Sequence, residues 1–94
     1  MLYIDGFDWD QGNWPKCAKH GLTKAVIESV FQNQPMIAPD PNQGEERLRA
    51  IGQSDEGRYV FLVFTLRHKN GKQLIRVISA RYMHSKEIDH YVKR

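Results

Sequence analysis

A single cysteine, Cys17, occurs in the 94 residues, so no internal disulfide can form and no thiolate metal site can be assembled. Nor does any apolar run approach the roughly 18 residues that a bilayer-crossing helix needs. The N-terminus, MLYIDGFDWD, has neither a basic start nor a hydrophobic signal core, and a cytoplasmic protein is expected. Internal repeats, low-complexity tracts and linker-like stretches are also missing. At this length one hydrophobic core is the natural limit, so residues 1–94 are expected to form a single domain. The histidines His20, His68, His84 and His90 make no zinc pattern, and the spacing of His84 and His90 does not put them on one helix face. No metal and no cofactor are expected.

Positive charge is absent from residues 1–15, which carry Asp5, Asp8 and Asp10. The net charge of +3 is instead weighted toward the second half, where Arg67, Lys69, Lys72, Arg76, Arg81, Lys86, Lys93 and Arg94 lie. That half suits a polyanion or an acidic partner.

The pattern of elements begins with a short strand near Tyr3–Trp9 and a helix over 13–20 (NWPKCAKH) with Pro15 in its first turn, stopped by Gly21. Leu22, Val26 and Val30, with Ile27 and Phe31 beside them, form the stripe of an amphipathic helix that Thr23 can cap and Pro35 closes. From residue 36 the period becomes two. MIAPDPNQ predicts a short extended piece and a turn, EERLRAIG (45–52) a half-buried strand, SDEG (54–57) a turn, and YVFLVFTL (59–66) a central strand. Asn70-Gly71 is the preferred pair of a type I′ hairpin, followed by the strand QLIRVISAR (73–81), and Ser85 opens a last helix to Lys93.

A two-residue turn at Asn70-Gly71 fixes the register of this hairpin. Lys69 then faces Lys72, Arg67 faces Leu74, and Thr65 faces Arg76. Arg67 and Arg76 become diagonal neighbours on one face, and Leu62, Phe64, Leu66, Ile75 and Val77 form the apolar face. In a regular strand Arg81 falls on that apolar face, beyond its last hydrophobic residue. Two guanidinium forks near one end of a sheet outline an anion site, although an edge of solvated arginines has the same sequence signature.

The ordered series FDWD (7–10), KHG (19–21), GEER (44–47), AIG (50–52), VFT.R (63–67), IRVISAR (75–81) and a closing pair, Glu87 and Tyr91, resembles the BrnT family of toxins from Phe7 to Tyr91. The chain departs from that family's usual pattern in having Lys16 four residues before His20 and Lys24 four residues after it. The resemblance implies an α+β, RelE-like fold, a mostly antiparallel sheet of about four strands packed against two N-terminal helices with a short C-terminal helix. It also implies metal-independent cleavage of messenger RNA and neutralisation by a cognate antitoxin, BrnA-like and of the ribbon-helix-helix type. Operator DNA would then be bound only through the antitoxin complex.

Cutting RNA without a metal requires help for 2′-OH attack, stabilisation of the phosphorane and protonation of the leaving 5′-oxygen. General acid–base groups supply roughly 10² to 10⁴-fold, and fixed cations supply comparable help. Glu46 is the candidate base, His20 the candidate acid, and Arg67 and Arg81 the candidate phosphate clamps, with Lys19, Arg49 and Arg76 as candidate RNA-binding residues. Each has a structural alternative: His20 caps the first helix, Glu46 pairs with an arginine, and Arg81 anchors the last helix through Glu87 and Asp89. Trp9 and Trp14 suit helix packing better than base stacking. A non-catalytic basic interaction module or nucleic-acid-binding regulator would use the same arginines.

Overall fold

In the computed structural model, which describes residues 4–41 and 46–93, the chain runs through β1 (Gly6–Phe7), a single 3-10 turn at Lys16–Ala18 and α1 (Lys24–Gln32). It continues through β2 (Met36–Pro39), β3 (Leu48–Gln53), β4 (Tyr59–Lys69), β5 (Lys72–Tyr82) and α2 (Ser85–Lys93). The five strands form one sheet in the order β1-β5-β4-β3-β2, antiparallel except for β1 beside β5. The α+β class is as expected, while the sheet has five strands where about four were expected. The extra strand is MIAP, which pairs along its whole length with β3 despite ending in Pro39. It sits at the sheet edge, where a missing N–H leaves no ladder bond unmade.

Only one α-helix, α1, precedes the main strands. The segment expected to be a helix over 13–20 is mostly turns, because its polar groups are spent elsewhere. Asp10 accepts from the backbone N–H groups of Asn13 and Trp14. The Asn13 amide donates to the carbonyls of Asp8 and Val77, which pins this segment against β5. The second expected helix forms as read: Thr23 accepts from the Val26 N–H, a side-chain N-cap worth about 1 kcal/mol. Part of the expected Tyr3–Trp9 strand and of the EERLRAIG strand lies outside the described residues.

Asn70 and Gly71 have φ of 52° and 78°, the left-handed pair of a type I′ turn. The hairpin register is the one deduced from it, with Arg67 opposite Leu74 and Thr65 opposite Arg76, as far as Phe64 and Val77. There it shifts: Val63 pairs with Ser79, leaving Ile78 as an extra residue on β5. A bulge of this kind resets the alternation of faces. Ala80 takes the buried position, and Arg81 comes opposite Phe61 on the other face. The expectation that Arg81 follows Ile75 and Val77 is corrected accordingly.

The core lies between α1 and one face of the sheet. Ile27 and Val30 pack with Ala50, Val60, Leu62, Phe64, Ile75, Val77 and Ala80, and a chain of edge-to-face rings runs from Phe7 through Phe31 to Phe64. Trp9 donates to Glu28 and meets Trp14 edge-on, and the Lys24 ammonium lies over both indoles. The tryptophans therefore serve packing, as read, and Lys24 acts as their cationic cover. α2 buries no residue. Its contacts, Glu87 with Arg81 and Tyr91 with Tyr59, reach the face opposite the core. None of the described helices is long and apolar enough to cross a membrane.

Candidate active site

Strand alternation sends the odd-numbered residues of β4 away from the core, and the pairing registers say what lies beside each. Arg67 stands next to Leu74 and Thr65 next to Arg76; Val63 lies between Arg49 and Ser79, and Phe61 between Ile51 and Arg81. Arg67, Arg76, Arg49 and Arg81 thus occupy four successive rows of one face, each row about 6.6 Å from the next at roughly 3.3 Å per residue. The bulge at Ile78 is what adds Arg81 to this set.

Three of the four are held by carboxylates of the chain itself. Arg76, with a side chain only 16% exposed, donates to Asp10 at 2.9 and 3.0 Å and to Asp8 at 3.3 Å. The Asp10 carboxyl, hydrogen-bonded to Arg76, is lowered to about 2. Arg81 grips Glu87 with both arms of its fork, at 2.7 and 2.8 Å, and the bond to Arg81 lowers Glu87 to about 2. Arg49 reaches Asp40 at 3.3 Å. Two guanidinium groups contact the Phe61 ring, Arg81 with Cζ at 4.7 Å and Arg49 with Cζ at 5.4 Å from its centroid. Arg81 thus anchors the last helix through Glu87, as its structural alternative required. Asp89 is exposed and takes no part.

Arg67 differs. It is exposed, and no ion pair or side-chain hydrogen bond engages it among the described residues. It opens onto a cleft at the hairpin end of the sheet, lined by Pro39, Asp40, Glu46, Arg47, Leu48, Thr65, Leu66, Arg67 and His68. Glu46 and Arg67 both line this cleft, as does His68, whose Nε2 lies 3.0 Å from Gln73 Oε1. Two polar atoms, Thr65 Oγ1 and Arg49 Nε, are buried with no partner among the described residues. Leaving a buried polar atom unpaired costs about 1–3 kcal/mol, a cost that a ligand bonding to it would relieve.

Lys19 and His20 are elsewhere. Both are exposed in the turn that follows Lys16–Ala18, and it is Lys16–Ala18 that packs against β5. No bond joins either of them to Glu46 or Arg67 among the described residues. Sequence reading missed His68 and Phe61. The first sits one residue beyond Arg67 in a strand that outlasts its core, and the second reads as one more apolar residue of YVFLVFTL. Cys17 is buried, which pushes its thiol up and away from nucleophilic use. Among the described residues no three His, Cys, Asp or Glu side chains are grouped to hold a metal ion.

Residues 9–87 match the model of a family described as ribonuclease toxin, BrnT, of type II toxin-antitoxin system. None of the curated proteins matches the chain.

Proposed function

Since the chain belongs to the BrnT family of ribonuclease toxins of type II toxin–antitoxin systems, we propose that it cleaves messenger RNA by acid–base chemistry without a metal, in the cleft shared by Glu46 and Arg67. The observation that carries this reading is that Arg67, alone among the four arginines in the rows, has no carboxylate partner among the described residues, yet shares a cleft with the Glu46 carboxylate and the His68 imidazole. Its fork is ready for a phosphate without any internal ion pair having to break.

In this scheme Glu46 takes the proton of a 2′-OH as its oxygen attacks the adjacent phosphorus. Arg67 balances the charge that develops on the phosphorane oxygens, where a preorganised cation is most effective. The bond to the 5′-oxygen then breaks, and that oxygen receives a proton, leaving a 2′,3′-cyclic phosphate and a 5′-hydroxyl. His68 lines the cleft and is the better placed donor. His20 reaches the same atom only if the RNA passes from the cleft toward the turn beside β5. Arg76 and Arg49 extend the basic face, and Lys19, exposed after the Lys16–Ala18 turn, contacts only RNA that also reaches that turn. Arg81, on β5 opposite Phe61, stands too far from Arg67 to share the phosphate that Arg67 holds.

Cleavage of messenger RNA stops translation and growth until an antitoxin covers the cleft. The family implies such a partner; a ribbon-helix-helix protein that carries the operator-binding activity of the complex is the proposed form. Incubation of the purified chain with free RNA, with and without chelator, tests the reading. Cleavage in both conditions supports it, and cleavage restored only by a divalent ion removes the acid–base scheme. Growth arrest on expression of the chain alone separates the enzyme from a binding module, which cells tolerate.

A further inference from the structure

Arg81 lies opposite Phe61 and Arg67 lies six residues further along the same strand, a separation of roughly 20 Å at about 3.3 Å per residue. The Arg81 side chain is turned to Phe61 and Glu87, so the two arginines cannot grip one phosphate. We propose that Arg81, Arg49 and Phe61 form a second phosphate subsite for the same RNA strand, occupied in the free protein by the Glu87 carboxylate. The inference rests on the assignment of cleavage to the Arg67 cleft, and it defines the substrate as a single strand long enough to span both places.

Four features of the face support it. Glu87 meets Arg81 with both oxygens on both arms of the fork, the same two-point match that a phosphate offers through two of its oxygens. Both side chains remain about a third exposed, at 35% and 36%, so an incoming anion reaches the fork without unfolding the sheet. α2 carries no buried residue, so its displacement uncovers little apolar surface. The Phe61 ring holds the guanidinium groups of Arg81 and Arg49 in place by cation–π contact, which keeps the subsite formed after Glu87 leaves.

Exposed ion pairs contribute little to stability, and a polyanion that engages several cations along one track displaces such a carboxylate through its combined contacts. Between Arg67 and the subsite lies the row of Arg76, and the next row carries the subsite's own Arg49; Asp8 and Asp10 hold the first and Asp40 the second in the free protein, so the strand's phosphates exchange with these carboxylates as they do with Glu87. In the free protein Glu87 keeps the subsite satisfied. It also accepts from the His84 N–H at the start of α2, so opening the subsite loosens the first turn of that helix.

The test measures dissociation constants of 2′-O-methyl RNA, which resists cleavage, as a dinucleotide and as an octanucleotide. The wild-type chain binds the longer strand better by at least about tenfold. Arg81→Ala reduces that length advantage to less than about threefold, whereas Arg67→Ala weakens both lengths by a similar factor. Glu87→Gln keeps the acceptor for His84 but not the charge, and it tightens octanucleotide binding by about three- to tenfold. Arg81→Lys, which keeps the charge and loses the fork, gives an intermediate length advantage, and circular dichroism verifies that each variant is folded. Equal weakening of both lengths by Arg81→Ala places Arg81 at the reacting phosphate and overturns the subsite. Weaker octanucleotide binding by Glu87→Gln overturns the role given to Glu87. If Arg67→Ala changes neither binding nor cleavage, the cleft assignment fails instead.

Discussion

Arg81 pairs with Phe61 across β4 and β5, on the face that also carries Arg67, because Ile78 stands as an extra residue in β5. Without that shift the alternation of β5 places Arg81 in line with Ile75 and Val77, away from Phe61 and the α2 face. The same bulge that adds Arg81 to the arginine face leaves it six residues from Arg67 along β4. The proposed function gives the two arginines separate tasks, and their variants are expected to separate experimentally.

Arg67→Ala is expected to lower kcat/KM for RNA by about 10²- to 10³-fold, the usual effect of removing one donor from a transition-state site. Arg67 is exposed at the end of β4, so Tm stays within a degree or two of the parent, roughly the effect of a surface substitution. Arg67→Lys stays severely impaired because an ammonium lacks the planar fork. Steady-state kinetics beside thermal unfolding decides the matter, and loss of the fold in both variants returns Arg67 to a structural role.

The two histidines are distinguished by comparison. His68→Ala is expected to reduce kcat by about 10²-fold or more, in the range of a general acid, and His20→Ala by much less. The reverse order moves the proton donor to the turn after Lys16–Ala18 and requires the RNA to cross β5.

Thr65→Val tests the unpartnered hydroxyl. The substitution keeps the shape and removes a buried polar atom that has no hydrogen bond among the described residues, so stability holds or rises by up to about 1 kcal/mol. RNA cleavage falls at the same time if the substrate supplies the missing partner. A variant that is both less stable and fully active shows that the hydroxyl is satisfied within the protein.

Acid loosens two named contacts. Asp10 and Glu87 are each lowered to about 2, by their bonds to Arg76 and Arg81 respectively. Because the folded values are depressed, the stabilisation from these pairs is complete above the ordinary carboxyl range and is lost as pH falls from about 4.5 toward 2. Carboxyl carbon shifts followed by NMR are expected to titrate near 2 for both residues. A midpoint at the ordinary value for Glu87 means that α2 is not held by Arg81 in solution.

Gly52→Ala is expected to destabilise the protein by about 1–3 kcal/mol, the cost of overpacking. A Cβ on Gly52 meets Pro35 Cβ at 2.9 Å and Pro35 Cα at 3.1 Å, so the chain after α1 has to move. Denaturant unfolding measures it, and an unchanged midpoint shows that the Pro35 segment yields.

Sequence alone determined whatever depends on local chemistry and short-range alternation. Thr23 as a cap, Asn70-Gly71 as a left-handed turn, the Arg67–Leu74 and Thr65–Arg76 pairs, the apolar face of the hairpin and the extent of α2 all follow from neighbours a few residues apart, and all are present. The family was legible for a similar reason, since it is written in ordered short motifs across residues 9–87.

Tertiary structure decided the rest. Residues 13–20 are a set of turns because the Asn13 amide bonds to a carbonyl in β5, 64 residues away, and no local propensity contains that bond. Arg81 changed faces because one inserted residue inverts every position after it; β-branched and aromatic runs tolerate such an insertion without marking it. Which cation stands open on the finished face was settled by where the carboxylates landed. Asp8 and Asp10 came from the segment after β1, Asp40 from the residue after β2 and Glu87 from α2, and each neutralised an arginine that sequence could only count. Charge attracts over distances fixed by the fold rather than by the chain, so the sequence listed the arginines and folding chose Arg67.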